Sequence, residues 1–401
     1  MTKLTTSRRG LFKAALAGAA LAGGSAAGVA AGPAAAAVPA AATVPAKVPR
    51  KPLGATGALV PILQLGTSQS LDATYDKRMH RCLAEGVDYF DTALSYGWGR
   101  SHSALATFLE QVGDRRKLWI TSKSGAGSPE GLERGLDEAL AGLRTDYLDL
   151  YFMHGIDDED MLEPAFLKAG ERMRRSGKTR FFGFSCHDGN VVGLMNKAAR
   201  VGGIDAILFR YHFGRYGDRA LNKAIDACKQ AGIGLIAMKV MRSVPSGAEQ
   251  VVRFRSERFT LAQAKLKAVW ADERIDSLCS EMASVEQVRE NVAAAKSAVA
   301  LSAGEMHQLQ QLAARTAHLH CDGCRAICEP LAGGRVAVAD TLRFLMYHES
   351  YGDTERARRL YRALPEAARD LAGVDFAAAT AACPQGIDIA GRLEQARREL
   401  A

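Results

Sequence analysis

Apolar and polar residues follow two rhythms along most of this chain. Short runs rich in Ile, Leu, Tyr and Phe at residues 62–66, 89–91, 118–123, 147–154, 179–185, 206–211, 234–238 and 275–280 read as buried strands. Between them, stretches such as 77–85, 130–143, 164–176 and 218–231 carry apolar residues at helical spacing. A small hairpin over residues 53–60, with glycine supplying its turn, precedes the first run. Eight strands with helices between them predict an α/β fold, a closed (β/α)8 TIM barrel. An open doubly wound sheet would want a glycine-rich phosphate loop after its first strand, and Gln64-Leu65-Gly66-Thr67-Ser68 is not one.

A barrel of this kind places its chemistry at the C-terminal ends of the strands. Three predicted strands end in Asp91, Lys123 and His154, and Tyr96 follows Asp91 by five residues. A tyrosine with a pKa of about 10 shares its proton poorly near neutrality, but a neighbouring ammonium favours the phenolate. Lys123 supplies that charge and Asp91 keeps it protonated. Tyr96 then gives a proton to a carbonyl oxygen as hydride reaches the carbon, while His154 orients that oxygen. The plainer alternative makes Asp91 and Lys123 a structural ion pair, Tyr96 a rim aromatic and His154 a core histidine. Four such residues at neighbouring strand ends favour the chemical reading.

These residues fall in recognisable strings: Leu53-Gly54 with Gly57, Asp91-Thr92-Ala93-x-x-Tyr96-Gly97, Thr121-Ser122-Lys123, Tyr151-Phe152-Met153-His154 and Gly183-Phe184-Ser185. Over roughly residues 50–315 the chain resembles the aldo/keto reductase superfamily. The resemblance implies NAD(P)H-dependent carbonyl reduction with Asp91, Tyr96, Lys123 and His154 as the catalytic set. It also implies cofactor contacts from Ser185, Ser284, Glu290 and Asn291. Three positions depart from the family pattern: Cys186 and Leu208 replace an Asn and a Gln at the nicotinamide, and Gln287 replaces an Arg on the 2′-phosphate. A neutral amide cannot grip phosphate bidentately, so NADP and NAD both stay open. Arg289 lies two residues on, about 200° around a helix.

Composition fits a globular chain: of 401 residues, 48% are apolar and 24% charged. The net charge of +8 is concentrated at one end, because residues 1–51 hold seven basic residues and no acid, leaving only +1 on the rest. That near-neutral body argues against nucleic acid or a membrane surface as partner. Ser7-Arg8-Arg9-Gly10-Leu11-Phe12-Lys13, followed by uncharged Ala and Gly to about residue 37, resembles a twin-arginine export signal with Leu and Phe transposed. A disordered low-complexity tail is the alternative, and the segment is too weakly apolar for a stable membrane span. Residues 1–45 are therefore expected to direct export, periplasmic or extracellular, of a protein already folded around its cofactor.

The eight cysteines divide into two groups. Cys82, Cys186, Cys228 and Cys279 sit within strand or helix patterns and read as small core residues, with Cys186 also near the site. Cys321, Cys324 and Cys328 are packed into eight residues, and 54 residues separate Cys328 from Cys383-Pro384. Four soft ligands are compatible with a 4Fe-4S cluster, a zinc site or two disulfides. The string Cys383-Pro384-Gln385-Gly386-Ile387-Asp388-Ile389 resembles the tail of the iron-sulfur branch of aldo/keto reductases, which implies the cluster. Residues 46–315 are then the barrel and 316–401 a small helical domain stapled by metal. Within it, residues 339–351 and 354–363 read as amphipathic helices, with Tyr347-His348 and the Arg-rich 356–362 stretch on a solvated face.

The combined expectation is an exported reductase of a small aldehyde or ketone, with a possible redox partner protein. A noncatalytic binding or electron-transfer module on the same scaffold is the alternative, favoured by Cys186, Leu208 and Gln287 and opposed by the intact catalytic set.

Overall fold

The computed structural model describes residues 45–401 apart from 126, 188 and 189; the export-signal segment lies outside the described residues. A short antiparallel hairpin pairs β1 (Arg50–Pro52) with β2 (Leu59–Pro61). Residues 53–58, expected to be the body of the hairpin, form its turn instead. Gly54 stands at φ +50°, where an added Cβ would lie 2.4 Å from the Gly232 carbonyl oxygen, so the turn packs flush on the barrel floor.

Eight parallel strands follow: β3 (Leu63–Gly66), β4 (Tyr89–Asp91), β5 (Trp119–Ser124), β6 (Leu148–Met153), β7 (Thr179–Cys186), β8 (Ala206–Arg210), β9 (Gly234–Met238) and β10 (Ser277–Ser280). Each pairs with the next, and β10 pairs back onto β3, closing the barrel as the sequence predicted. The outer layer contains α1 (Lys77–Glu85), α2 (Arg100–Val112), α3 (Pro129–Leu143), α4 (Pro164–Arg175), α5 (Val191–Val201), α6 (Arg219–Gln230), α7 (Leu261–Trp270) and α8 (Val285–Lys296). Their starts are written locally. Asp76 and Ser128 accept backbone hydrogen bonds at the heads of α1 and α3, and Thr260 with Gln263 forms a reciprocal cap on α7.

Strand alternation divides the core into two layers. Phe90, Ile120, Phe182 and Phe184 pack outward in the layer that holds the helical side chains Leu105, Leu136 and Leu194. Tyr89, Trp119, Leu150, Phe152 and Leu208 share an inner cluster that fills the barrel. Asp91 and His154 keep that inward parity two residues beyond Tyr89 and Phe152, and Lys123 four beyond Trp119, so the same period of two that buries the plug delivers polar groups above it.

After α9 (Ala303–Arg315) come α10 (Arg325–Leu331), α11 (Val338–Tyr351), α12 (Thr354–Ala363), α13 (Glu366–Arg369), α14 (Ala377–Ala382) and α15 (Ile389–Leu400). These helices have apolar clusters of their own, one built on Val338, Leu342, Phe376 and Leu393 and another on Leu345, Tyr361 and Leu400. They also grip the barrel. Arg242 donates to the Thr316 hydroxyl at 2.7 Å, and Arg356 pairs with Glu281 at 2.9 Å. The expectation of a solvated face at Tyr347 and Arg356 is therefore wrong: Tyr347 is buried and the Arg356 guanidinium stacks 4.4 Å from its ring. No helix among the described residues is long and apolar enough to cross a membrane.

Candidate active site at the mouth of the barrel

The motif after β4 is held by backbone hydrogen bonds to its neighbour. Thr92 N–H reaches the Thr121 carbonyl at 2.8 Å and Leu94 N–H the Lys123 carbonyl at 3.0 Å. Beyond Tyr96 the chain reverses through Gly97, Trp98 and Gly99, all at positive φ, before α2 begins. The reversal folds Tyr96 back over β5.

Lys123 is 1% exposed, and its ammonium donates to both Asp91 carboxylate oxygens at 2.8 and 2.7 Å and to the Thr92 carbonyl at 2.6 Å. Three donors meet three acceptors, the full capacity of a protonated lysine. The same nitrogen lies 4.8 Å from the Tyr96 ring centroid, and the Tyr96 and His154 rings meet edge to face at 5.7 Å. All four predicted catalytic residues are therefore in one place.

The electrostatics differ from expectation at Tyr96. Burial, with the Asp91 charge adding to it, pushes the phenol well above its ordinary value. Lys123 does not pull it down because Asp91 holds the ammonium bidentately and most of its field is cancelled locally. Burial, then Lys123 and Arg343, push His154 down to about 3. Its imidazole is neutral at any working pH and available as a hydrogen-bond donor.

A cavity of about 390 Å³ opens here, lined by Asp91, Tyr96, Leu208, Met238, Glu290 and Asn291 among others, and a broader groove shares Met241, Gln287 and Ser350 with it. Ser284 caps α8 beside these residues, accepting the Gln287 N–H at 3.2 Å. Glu290 accepts the Thr260 hydroxyl, and Asn291 donates to the Ser280 hydroxyl at 3.0 Å. Ser185 is turned toward the β6 side, where its hydroxyl accepts the Gly155 N–H at 2.9 Å. Cys186 is fully buried in the outer core layer. Arg289 stays on an exposed flank near Glu286.

Several cavity residues escaped the sequence reading. Cys279, read as a core residue, lines the cavity together with Asp91. His187, Lys239 and Glu281 line it from other strand ends, and Ser350 and Tyr351 reach it from α11. The inward parity that carries Asp91 and Lys123 in the structure also reaches His187 and Cys279. No periodic signal points from α11 back to the barrel strands.

Cys321, Cys324, Cys328 and Cys383 line one small cavity with Ile327, Val338, Leu342, Ile387 and Ile389 as apolar walls. All eight cysteines are free thiols, so the disulfide alternative is not formed. Burial pushes Cys321 up to about 12 and Cys328 up to about 11. Bare, they are inert thiols; a bound cation would invert that balance. Beside them, the ligand atoms of His212, His320 and Asp322 lie within 4.8 Å of one another. Hydrogen bonding explains this group without a metal. His212 Nδ1 already accepts the Gly214 N–H at 3.1 Å, so its Nε2 carries the proton facing Asp322 at 3.3 Å. Asp322 also accepts from Gln385 at 2.8 Å, tying the first cysteine segment to the last.

Residues 63–314 match the Aldo/keto reductase family. The chain belongs to this family. It is 26% identical over 238 residues to L-galactose dehydrogenase of Arabidopsis thaliana, covering 52% of this chain and 74% of that protein. It is 28% identical over 260 residues to the uncharacterized oxidoreductase YrpG of Bacillus subtilis, covering 58% and 79%. Among solved structures, the holo form of aldo-keto reductase AKR11C1 from Bacillus halodurans is similar with a TM-score of 0.57 at 23% identity, over 66% of this chain and 96% of that one. An aldo-keto reductase from Klebsiella pneumoniae in complex with NADPH gives 0.50 at 22%, over 66% and 94%. These two structural likenesses carry the fold. Family and oxidoreductase relatives together make this aldo/keto reductase an enzyme of the NAD(P)H-dependent reductase type. The family match stops at residue 314, before the cysteine-bearing helices.

Proposed function

We propose that this aldo/keto reductase reduces an aldehyde or ketone with Tyr96 as proton donor, and that its C-terminal helices hold a 4Fe-4S cluster. The observation that carries the first part is the Lys123 ammonium, saturated by Asp91 and Thr92 beneath the Tyr96 ring and beside His154.

Orphaned polar atoms in the cavity support a bound dinucleotide. Gln69 Oε1 and His187 Nδ1 are buried without partners, and both residues line it. Ser284, Glu290, Asn291 and Gln287 would hold the far end of the cofactor, and the NADPH in the Klebsiella relative supports NADP as its form. When bound, the reduced nicotinamide supplies the hydride. The protein's own part is protonic. Neutral His154 donates a hydrogen bond to the carbonyl oxygen and Tyr96 O–H gives up its proton as negative charge builds there, with the Lys123 ammonium beneath the ring. Asp91 keeps that lysine protonated.

The second part is supported by the donor set: four soft sulfurs in one apolar-walled space, with the Gly323 N–H 3.4 Å from Cys321 Sγ. The cluster would supply one-electron chemistry, exchanged with a partner protein. The Arg8-Arg9 segment leads us to propose export to the periplasm or beyond by the twin-arginine route.

Tyr96→Phe is expected to lower carbonyl-dependent NAD(P)H oxidation by about 100-fold or more while fluorescence titration shows the dinucleotide still bound. A parent that binds neither NADH nor NADPH overturns the reductase reading. For the cluster, anaerobically purified protein is expected to be brown with about four irons per chain, and iron-free colourless protein refutes it. Arg8→Lys with Arg9→Lys should retain the precursor in the cytoplasm; unchanged export rejects the localisation.

A further inference from the structure

Lys239 follows β9 at a left-handed φ of +56° and lines the catalytic cavity. It also lines a second cavity of about 30 Å³, as does Tyr351, so the two spaces share a wall. The smaller space is bounded by Arg210, His320, Arg343 and Arg392, with Leu342 and Met346 as apolar sides. Among the described residues no carboxylate lines it.

The charges here do not balance. Arg392 is paired with Glu349 at 2.6 and 2.8 Å, and Arg343 with Asp340. In the larger cavity Asp91 is taken by Lys123 and Glu281 by Arg356. Lys239 shares Glu281 with Arg356, and Arg210 has no carboxylate partner among the described residues. Arg210 is 6% exposed, its Nη1 donates to the Cys321 carbonyl, and its Nε is buried with no partner. Lys239 Nζ has the Tyr347 hydroxyl at 3.3 Å and the Tyr347 ring centroid at 4.8 Å, with no described carboxylate oxygen within 4.0 Å. Against burial, Tyr347, Tyr351 and Glu281 push Lys239 above its ordinary value, but Glu281 is shared with Arg356, so Arg210, Lys239 and Arg356 together face one carboxylate, an excess of enclosed positive charge that an anion would offset. Beyond burial, Arg343, Lys239 and Arg210 together push the His187 imidazole well below its ordinary range, which places their combined field in the catalytic cavity that His187 lines.

We propose that Lys239 and Arg210 form an anion subsite beside the catalytic tyrosine, and that it receives the carboxylate of an oxo-acid substrate whose carbonyl lies against Tyr96 and His154. The class of substrate follows from size and charge. A space of about 30 Å³ holds roughly two water-sized atoms, the two oxygens of a carboxylate. An ammonium and a guanidinium are the side chains that bind such a group most strongly. This assignment rests on the reductase reading above. The dinucleotide cofactor also carries anionic oxygens, so the experiment must separate the two sources.

The experiment compares parent, Lys239→Met and Lys239→Arg holoenzymes on oxo acids and on the matching oxo amides, with NADPH affinity titrated in parallel. The parent is expected to favour acid over amide in kcat/KM by about 10- to 100-fold, the range of a hydrogen bond to a charged group. Lys239→Met should collapse that ratio toward one, and Lys239→Arg should restore most of it. A parent that does not discriminate, or a ratio unmoved by Lys239→Met, overturns the subsite. Loss of NADPH affinity with an unchanged ratio assigns the charge to the cofactor and equally overturns it. Succinate, which has no reducible carbonyl, serves as a probe independent of turnover. Thermal stabilisation of the parent but not of Lys239→Met by succinate supports the subsite even if no carbonyl is reduced, in which case the reductase reading alone fails. Equal stabilisation of both refutes the subsite.

Discussion

Lys123 is held so completely that it can do little but carry charge. Its three hydrogen bonds and 1% exposure leave no freedom to leave Asp91. Lys123→Met strands the Asp91 carboxylate in an apolar barrel, and breaking a buried pair from one side costs about 3–5 kcal/mol. The variant should lose that much in urea unfolding together with carbonyl reduction. Adding Asp91→Leu should recover much of the stability and none of the activity; recovery of both would make the pair structural. At this scale the sequence was informative wherever strand parity applied. Asp91, Lys123 and His154 sit above Tyr89, Trp119 and Phe152 on the same inward rows, and Tyr96 follows from the turn. The phenol's high pKa was not legible, because it depends on how tightly Asp91 cancels Lys123. That is a matter of ångströms, and sequence order does not encode it. Lys239 was missed for a related reason: its left-handed backbone breaks the parity that would have located it.

Among the elements, β7 meets β8 closely at Gly183, which leaves no room for a side chain. An added Cβ at Gly183 would lie 1.9 Å from the Ala206 carbonyl oxygen and 2.9 Å from the Phe152 ring. Backbone cannot yield there as a flexible side chain can. Gly183→Ala should therefore destabilise by about 3 kcal/mol or more, at or beyond the upper end of ordinary overpacking. Gly217→Ala, with open space around its Cβ and an ordinary backbone, should change thermal stability little. Comparable losses for the two would mean that the strands part easily. The barrel elements were readable because each buries a face at its own period, and observed boundaries differ from the expected ones by a residue or two. The C-terminal helices show where periodicity stops. A helix with apolar residues on one side and Tyr347, Tyr351 and Arg356 nearby looks the same whether its second face meets water or another surface. Only the docked structure shows that Lys239 and Glu281 supply that surface.

For the molecule as a whole, buried histidines set the acid limit of stability. His102 packs between α2 and the barrel with Nε2 2.9 Å from the Ser122 hydroxyl, and burial, then Lys123, push it down to about 4. His154 is pushed down to about 3 by burial, Lys123 and Arg343. Unfolded, both return to about 6.5. Below that value the unfolded chain binds protons that the folded chain refuses, so stability falls as pH falls from about 6.5 toward 3–4. Each histidine contributes a slope approaching about 1.4 kcal/mol per pH unit. The carboxylates act lower down. Against burial, hydrogen bonds from Ser256 and Ser302 hold Glu305 near 2, so its contribution is lost only below its ordinary value of 4.5. The interval between about pH 6 and 5 thus isolates the histidines. Urea unfolding there should show the protein taking up nearly two protons on unfolding at the lower end from this pair, and further protons from His187, His212 and His320, which burial also pushes down. His102→Gln should remove close to one proton of that uptake and leave the Asp91–Lys123 pair intact. A pH dependence unchanged by His102→Gln would mean that His102 is charged in the folded barrel, and the site beside it would then carry one more positive charge than the geometry assigns.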